Sequence, residues 1–238
     1  MDLLSAVFRS GDVMRRRTVG VIVRTAVLEV PTPPAPLLAD WHRDVSRQLG
    51  LEAGDIEPLA IGRTRLRWPQ LRHCLDAVRQ WPGVATMADA LAGADPALMA
   101  SRGTRYHHDG ALYGGKAFCN LFLSDERETE LHFPATGRRI ALTRGTVLLF
   151  DPCQPHAIIR RGSRGFDAAG FAPERLPPQV FLTWELPIEH SEVAAAVGVH
   201  VDVGPPPDAL AQDEQVLCNG KALALCPATG AWLPAMLP

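Results

Sequence analysis

The chain has 238 residues, 47% of them hydrophobic and 21% charged, with a formal net charge of −2. A chain of this length buries a substantial core, and its balance excludes a disordered polymer. The near-neutral charge gives no electrostatic basis for binding nucleic acid or an anionic membrane surface.

Five cysteines, an odd number without C-x-x-C spacing, predict reduced thiols and a cytoplasmic setting. The apolar patch from Leu3 to Phe8, ahead of Arg15-Arg16-Arg17, is too short for a signal-peptide core. No apolar run approaches the length of a membrane span. Of the 24 basic residues, only Lys116 and Lys221 are lysines.

Thr18 to Val30 is rich in valine and isoleucine and reads as a strand stopped by Pro31-Thr32-Pro33-Pro34. Leu37, Leu38, Trp41, Val45 and Leu49 recur at helical spacing up to Gly50. Ile56 to Trp68 reads as extended, with Arg63, Arg65 and Arg67 alternating along a solvated face. Pro69 opens a second helix with Leu71, Leu75 and Val78 inward, ending at Pro82-Gly83. Residues 84–103 are alanine-rich and predict a short helix and a loop.

From Thr104 the pattern turns to β. Predicted strands are Arg105–Asp109, Ala117–Leu123, Glu130–Ala135, Arg139–Thr143, Thr146–Asp151, His156–Arg161 and Gln179–Leu186. Short strands at this spacing, with turns such as Thr136-Gly137 and Arg144-Gly145, predict a sandwich or barrel. Residues 203–214 read as a linker. Gln215–Cys218, Asn219-Gly220 and Lys221–Leu225 then form a hairpin signal, because Asn-Gly suits a type I′ turn.

Two stretches carry the chemistry. In Arg105-Tyr106-His107-His108-Asp109-Gly110, an extended backbone would project His107 and Asp109 to the same side, with Cα atoms about 6.6 Å apart. His156, in Phe150-Asp151-Pro152-Cys153-Gln154-Pro155-His156, would complete two imidazoles and one carboxylate on one face of a metal. That donor set is the one used by non-haem Fe(II) oxygenases, which keep other coordination positions open. His108 would point away from His107, outside the metal's own ligands or to solvent. Tyr106 is expected in the core, and His132 as a core or surface histidine.

Gly110-Ala111-Leu112-Tyr113-Gly114-Gly115-Lys116 matches the start of a phosphate-binding loop. Ala117 lacks the hydroxyl that loop needs, and a strand pattern follows where a helix is required. A flexible glycine loop beside the metal fits the stretch better. Asn120 interrupts an apolar strand and would need a partner, either a bound carboxylate or the backbone. Nothing marks Cys153 as a nucleophile.

Strung together, residues 104–186 resemble the double-stranded β-helix of the Fe(II)/2-oxoglutarate-dependent dioxygenases, in particular the prolyl-hydroxylase-like branch and its small amino-acid hydroxylase relatives. His107-His108-Asp109 resembles that family's H-x-D, and His156 its distal histidine. Gly145-Thr146-Val147-Leu148-Leu149-Phe150-Asp151 resembles the turn and strand before the distal histidine, and Glu130-Leu131-His132-Phe133 an earlier strand. The resemblance implies a mainly β fold with flanking helices, built on a jelly-roll, cupin-like core. It implies Fe(II) held by His107, Asp109 and His156, 2-oxoglutarate as cosubstrate, and dioxygen plus a small molecule or amino-acid-like compound as substrates.

Gly162-Ser163-Arg164 resembles the segment that supplies the arginine for the cosubstrate's far carboxylate, with Asn120 as a further cosubstrate contact. Arg160 and Arg175 remain alternatives, while the position at the start of the last strand is Gln179. The implied organisation is one oxygenase domain over 1–190 and a C-terminal extension over 191–238. Within the domain, a strand and helix layer (18–100) would pack on a core (104–188). Two other readings stay open: a cupin-like metalloprotein that does not use 2-oxoglutarate, and a non-catalytic β-sandwich binding module.

Overall fold

A computed structural model describes residues 3–49, 51–172, 176–202 and 214–233. The chain opens with β1 (Leu4–Ser10), β2 (Val13–Thr18) and β3 (Arg24–Val27), followed by α1 (Ala35–Arg43) with a π-helical continuation over Asp44–Leu49. Then come β4 (Ile56–Leu59), α2 (Ile61–Arg67), α3 (Leu71–Gln80), α4 (Ala88–Ala92), β5 (Ala97–Ser101) and the single turn α5 (Gly110–Tyr113). The remaining core strands are β6 (Lys116–Phe122), β7 (Thr129–Phe133), β8 (Arg138–Ala141), β9 (Thr146–Phe150), β10 (Ala157–Arg160) and β11 (Gln179–Pro187). After α6 (Ser191–Val197) lie β12 (Val201–Asp202), β13 (Gln215–Cys218), β14 (Lys221–Ala222) and a small pair, β15 (Ala224–Leu225) with β16 (Trp232–Leu233).

Two sheets form the centre. The larger runs β3-β9-β6-β11-β5-β4 and the smaller β10-β7-β8, with antiparallel pairing between neighbours. From β5 onward the chain passes back and forth between them. It visits the larger sheet at β5, β6, β9 and β11, and the smaller one at the His107 bridge, β7, β8 and β10. This winding is the double-stranded β-helix, and the fold is mainly β with flanking helices.

Side-chain alternation explains the layering. On one face of the larger sheet, Phe122, Leu148, Phe150 and Phe181 meet Leu131, Phe133 and Ile158 of the smaller sheet. On the other face, Cys119, Leu121, Leu149, Leu182 and Trp184 pack with Trp41, Trp68, Leu71 and Val78 of the helical layer.

Several local expectations are corrected. The strand predicted over Thr18–Val30 is broken: residues 19–23 are irregular, and at Gly20 a Cβ would lie 2.1 Å from the Val197 carbonyl oxygen. The extended Ile56–Trp68 is a short strand and then the helix α2. Ile61, Thr64 and Trp68 face inward at helical spacing, Thr64 Oγ1 accepts a hydrogen bond from Trp41 Nε1, and Arg63 and Arg67 pair with Asp44 and Asp40. The alternating arginines mark a helix bound to α1 by charge. Residues 97–101, read as loop, form β5, which lies between β4 and β11.

The C-terminal Asn219-Gly220 turn has φ of 52° and 76°, as a type I′ hairpin requires, and β13 pairs with β1. Residues 203–213 of the predicted linker lie outside the described residues. Among the described residues, no helix is long and apolar enough to cross a membrane.

Candidate metal centre

His107 and His156 face each other across an isolated antiparallel bridge, each donating its backbone N–H to the other's carbonyl, at 3.1 and 3.0 Å. The run predicted as a strand over Arg105–Asp109 is therefore extended at one pairing position only. Asp109 has left β geometry (φ −101°, ψ 21°) and caps α5, its carbonyl accepting from Leu112 and Tyr113 N–H. Its own N–H donates to the Pro152 carbonyl at 2.9 Å, which holds the 109 and 152–156 segments together.

The three side chains converge. The Nε2 atoms of His107 and His156 each lie 3.6 Å from an oxygen of Asp109, Oδ1 and Oδ2 respectively. One ligand atom from each falls within 4.8 Å of the others, making these residues a group able to hold a metal ion.

Both rings are fixed through their far nitrogen: Nδ1 of His107 is 2.8 Å from the Arg105 carbonyl, and Nδ1 of His156 is 2.9 Å from that of Gln154. A carbonyl can only accept, so Nδ1 carries the hydrogen and Nε2 keeps its lone pair toward the centre. Metal-bound histidines are oriented in this way. Burial, and then His107, holds the His156 pKa well below its ordinary value, so this ring is neutral at neutral pH. Burial raises the Asp109 pKa while His107 lowers it, with a net upward shift. A desolvated carboxylate beside two imidazole nitrogens gains from a cation. The donor set fits Fe(II), with two nitrogens and one oxygen on one face and the other positions left for exogenous ligands.

The triad opens onto a cavity of about 460 Å³ between the two sheets. Its walls alternate along each strand: Phe181, Thr183 and Glu185 come from β11, and Phe118, Asn120 and Phe122 from β6. Thr183 stands opposite Asn120 in the register, and Phe181 opposite Phe122. Asn120 is 8% exposed, and its Oδ1 has no hydrogen-bond partner among the described residues. The amide expected to need a partner thus lines the cavity with an acceptor unused.

The predicted cosubstrate arginine, Arg164, is exposed and lies outside the cavity lining. Arg160, which shares strand parity with His156, is turned away, donating to the Arg127 carbonyl at 2.6 Å and to Glu128 at 2.7 Å. Arg175 lies outside the described residues. Gln179 is buried, with Nε2 3.5 Å from the Leu142 carbonyl and Oε1 without a hydrogen-bond partner among the described residues.

His108 packs on Trp232, with ring centroids 5.8 Å apart, and takes no part in the triad. His132 is hydrogen-bonded to the Tyr106 hydroxyl at 2.5 Å. Gly110 and Gly114 are not a flexible loop. A Cβ on them would meet Val216 at 2.3 Å and Phe8 at 2.6 Å, so they let the segment pack against β13 and β1. Cys153 is fully buried, and that burial raises its pKa well above the ordinary thiol value.

Sequence reasoning missed Thr183 and Glu185. The period-two series from Gln179 to Glu185 was the signal that could have found them. It also missed Arg17, which nothing local marks.

No protein-family model and no curated protein matches the chain. Among solved structures, it is similar to a viral collagen prolyl hydroxylase from Paramecium Bursaria Chlorella virus-1 in a 2-oxoglutarate complex. That match has 9% identity and a TM-score of 0.39, covering 69% of this chain and 94% of that one. It is also similar to a prolyl-4-hydroxylase of Pseudomonas putida, at 15% identity and a TM-score of 0.41, covering 71% and 94%. A third is the non-heme alpha ketoglutarate dependent epimerase SnoN from nogalamycin biosynthesis, at 15% identity and a TM-score of 0.34, covering 87% and 92%.

Proposed function

We propose that the chain is a non-haem Fe(II) oxygenase that couples oxidation of a 2-oxo acid to hydroxylation of a small molecule, with 2-oxoglutarate the first cosubstrate to test. One observation carries this reading: two oriented Nε2 atoms and the Asp109 carboxylate meet at the wall of a cavity large enough for a small ligand. When bound, iron and a 2-oxo acid supply dioxygen chemistry. One oxygen atom enters the acid as it loses CO₂, to give succinate from 2-oxoglutarate, and the other enters a substrate C–H bond.

The chain's own residues have narrower tasks. His107, Asp109 and His156 would hold the metal, three donors that would leave further positions for the 2-oxo acid and dioxygen. The carbonyls of Arg105 and Gln154 lock the two rings. Phe118, Phe122, Phe150 and Phe181 keep water from the centre, and Asn120 offers its amide to whatever enters. The Asp109 carboxylate offsets part of the metal's charge.

Anaerobic addition of Fe(II) and 2-oxoglutarate should give a visible charge-transfer band that needs both, and air should then yield succinate. Absence of the band with iron bound, with 2-oxoglutarate and with 2-oxo monoacids alike, would sink the reading. A metalloprotein that dispenses with a 2-oxo acid is the second reading, favoured by the lack of lysine or arginine in the described cavity lining. It expects metal binding and no such band.

A further inference from the structure

We infer that the 2-oxo acid this cavity accepts best carries an uncharged, apolar tail rather than a second carboxylate; this rests on the oxygenase reading above. Beyond the Thr183–Asn120 row the cavity is lined mainly by hydrocarbon, and Thr104 Oγ1 already accepts from the Ile158 N–H. Phe122 and Phe181 stack there with centroids 5.1 Å apart, and Leu131 and Ile158 approach from the smaller sheet. These residues belong to one buried apolar cluster, so a tail passing from the metal toward them leaves water for an apolar wall. Burying an unpaired carboxylate in such a place is costly, whereas burying a hydrocarbon chain there is favourable.

The charges point the same way. Among the described residues, the ionisable side chains lining the cavity are Asp109, Glu185, His107, His156 and Tyr113, with no lysine or arginine. Among the described residues, Arg139 pairs with Glu130, Arg160 with Glu128 and Arg105 with Asp55, while Arg138 donates to the Val23 carbonyl. A divalent iron with the Asp109 carboxylate leaves one positive charge, which the carboxylate of a 2-oxo monoacid neutralises. A second carboxylate would make the site net negative. Asn120 can hydrogen-bond a ligand, but an amide is neutral and cannot compensate a full charge.

The test is an anaerobic titration of the Fe(II)-loaded full chain with 4-methyl-2-oxopentanoate and, separately, 2-oxoglutarate. It is followed by the charge-transfer band and by thermal melting. The monoacid should bind at least about tenfold more tightly. Thr183→Arg, which places a guanidinium on the half-buried cavity wall, should reverse that preference. Tighter binding of 2-oxoglutarate to the wild type overturns the inference and leaves the oxygenase reading standing. Loss of that advantage in Arg164→Ala or Arg175→Ala would then identify the cation. If iron binds and neither acid gives a band, the oxygenase reading falls and the inference falls with it.

Discussion

Arg17 and Asp151 are joined by two hydrogen bonds in the interior, Nη1 donating to Oδ2 at 2.6 Å and Nη2 to Oδ1 at 2.9 Å, with neither side chain exposed. The same carboxylate accepts the N–H of Gly20 at 2.7 Å and of Cys153 at 2.9 Å, and Arg17 Nε donates to the Gly114 carbonyl at 2.6 Å. One guanidinium therefore ties β2 both to the turn that delivers His156 and to the loop that follows Asp109. Replacing Arg17 by Met strands a buried carboxylate and should cost about 3–5 kcal/mol in urea unfolding. The double change Arg17→Met with Asp151→Leu should cost less than the single one, since no lone charge remains. A larger loss in the double variant would show that the bonds to Gly20 and Cys153 matter more than the pair.

Metal binding should depend on the converging side chains and not on their neighbour. His156→Ala or Asp109→Ala is expected to weaken Fe(II) or a redox-inert substitute by more than the roughly 10–100-fold typical of losing an outer partner. His108→Ala, which removes the ring packed on Trp232, should change affinity by less than about tenfold. Competition against a chromophoric chelator measures all three, and equal losses would count against the assignment.

Acid should destabilise the metal-free protein through its buried histidines. Burial and then Arg139 hold the pKa of His132 below its ordinary 6.5, while Glu130 works the other way. The unfolded chain then takes up a proton that the folded one refuses. The stabilisation is fully present above 6.5 and is lost as pH falls through the lower folded value. His108 and His156 are shifted in the same direction, so His132→Asn should reduce the slope of melting temperature against pH below 6.5 without abolishing it. An unchanged slope would place the acid sensitivity elsewhere.

The turn before β9 should tolerate no side chain. Gly145 has φ of 86°, and a Cβ there would lie 2.1 Å from the Leu28 carbonyl oxygen. The conformation alone costs about 1–3 kcal/mol for another residue, and the clash adds to it. Gly137 also has positive φ, at 66°, but faces open space, so Gly137→Ala should lower the melting temperature less than Gly145→Ala does. The reverse order would mean that β3 yields readily at Leu28.

Local sequence determined what local forces determine. Short apolar runs marked β6, β7, β9, β10 and β11, Asn219-Gly220 marked its turn, and the spacing of His107, Asp109 and His156 marked a group able to hold a metal ion. Local pattern failed where a partner far along the chain chose the outcome. Ile61–Arg67 alternates like a strand over a short window, but Trp41, Asp40 and Asp44 bind it as a helix. Ala97–Ser101 has weak strand character, and its place between β4 and β11 supplies the pairing. Asp109 joins the two histidines from a helix cap, because the Pro152 carbonyl takes its N–H. The direction of each arginine was likewise decided in three dimensions. Arg17 and Asp151 stand 134 positions apart, and a buried charge settles where its counter-charge is, which no window of sequence contains.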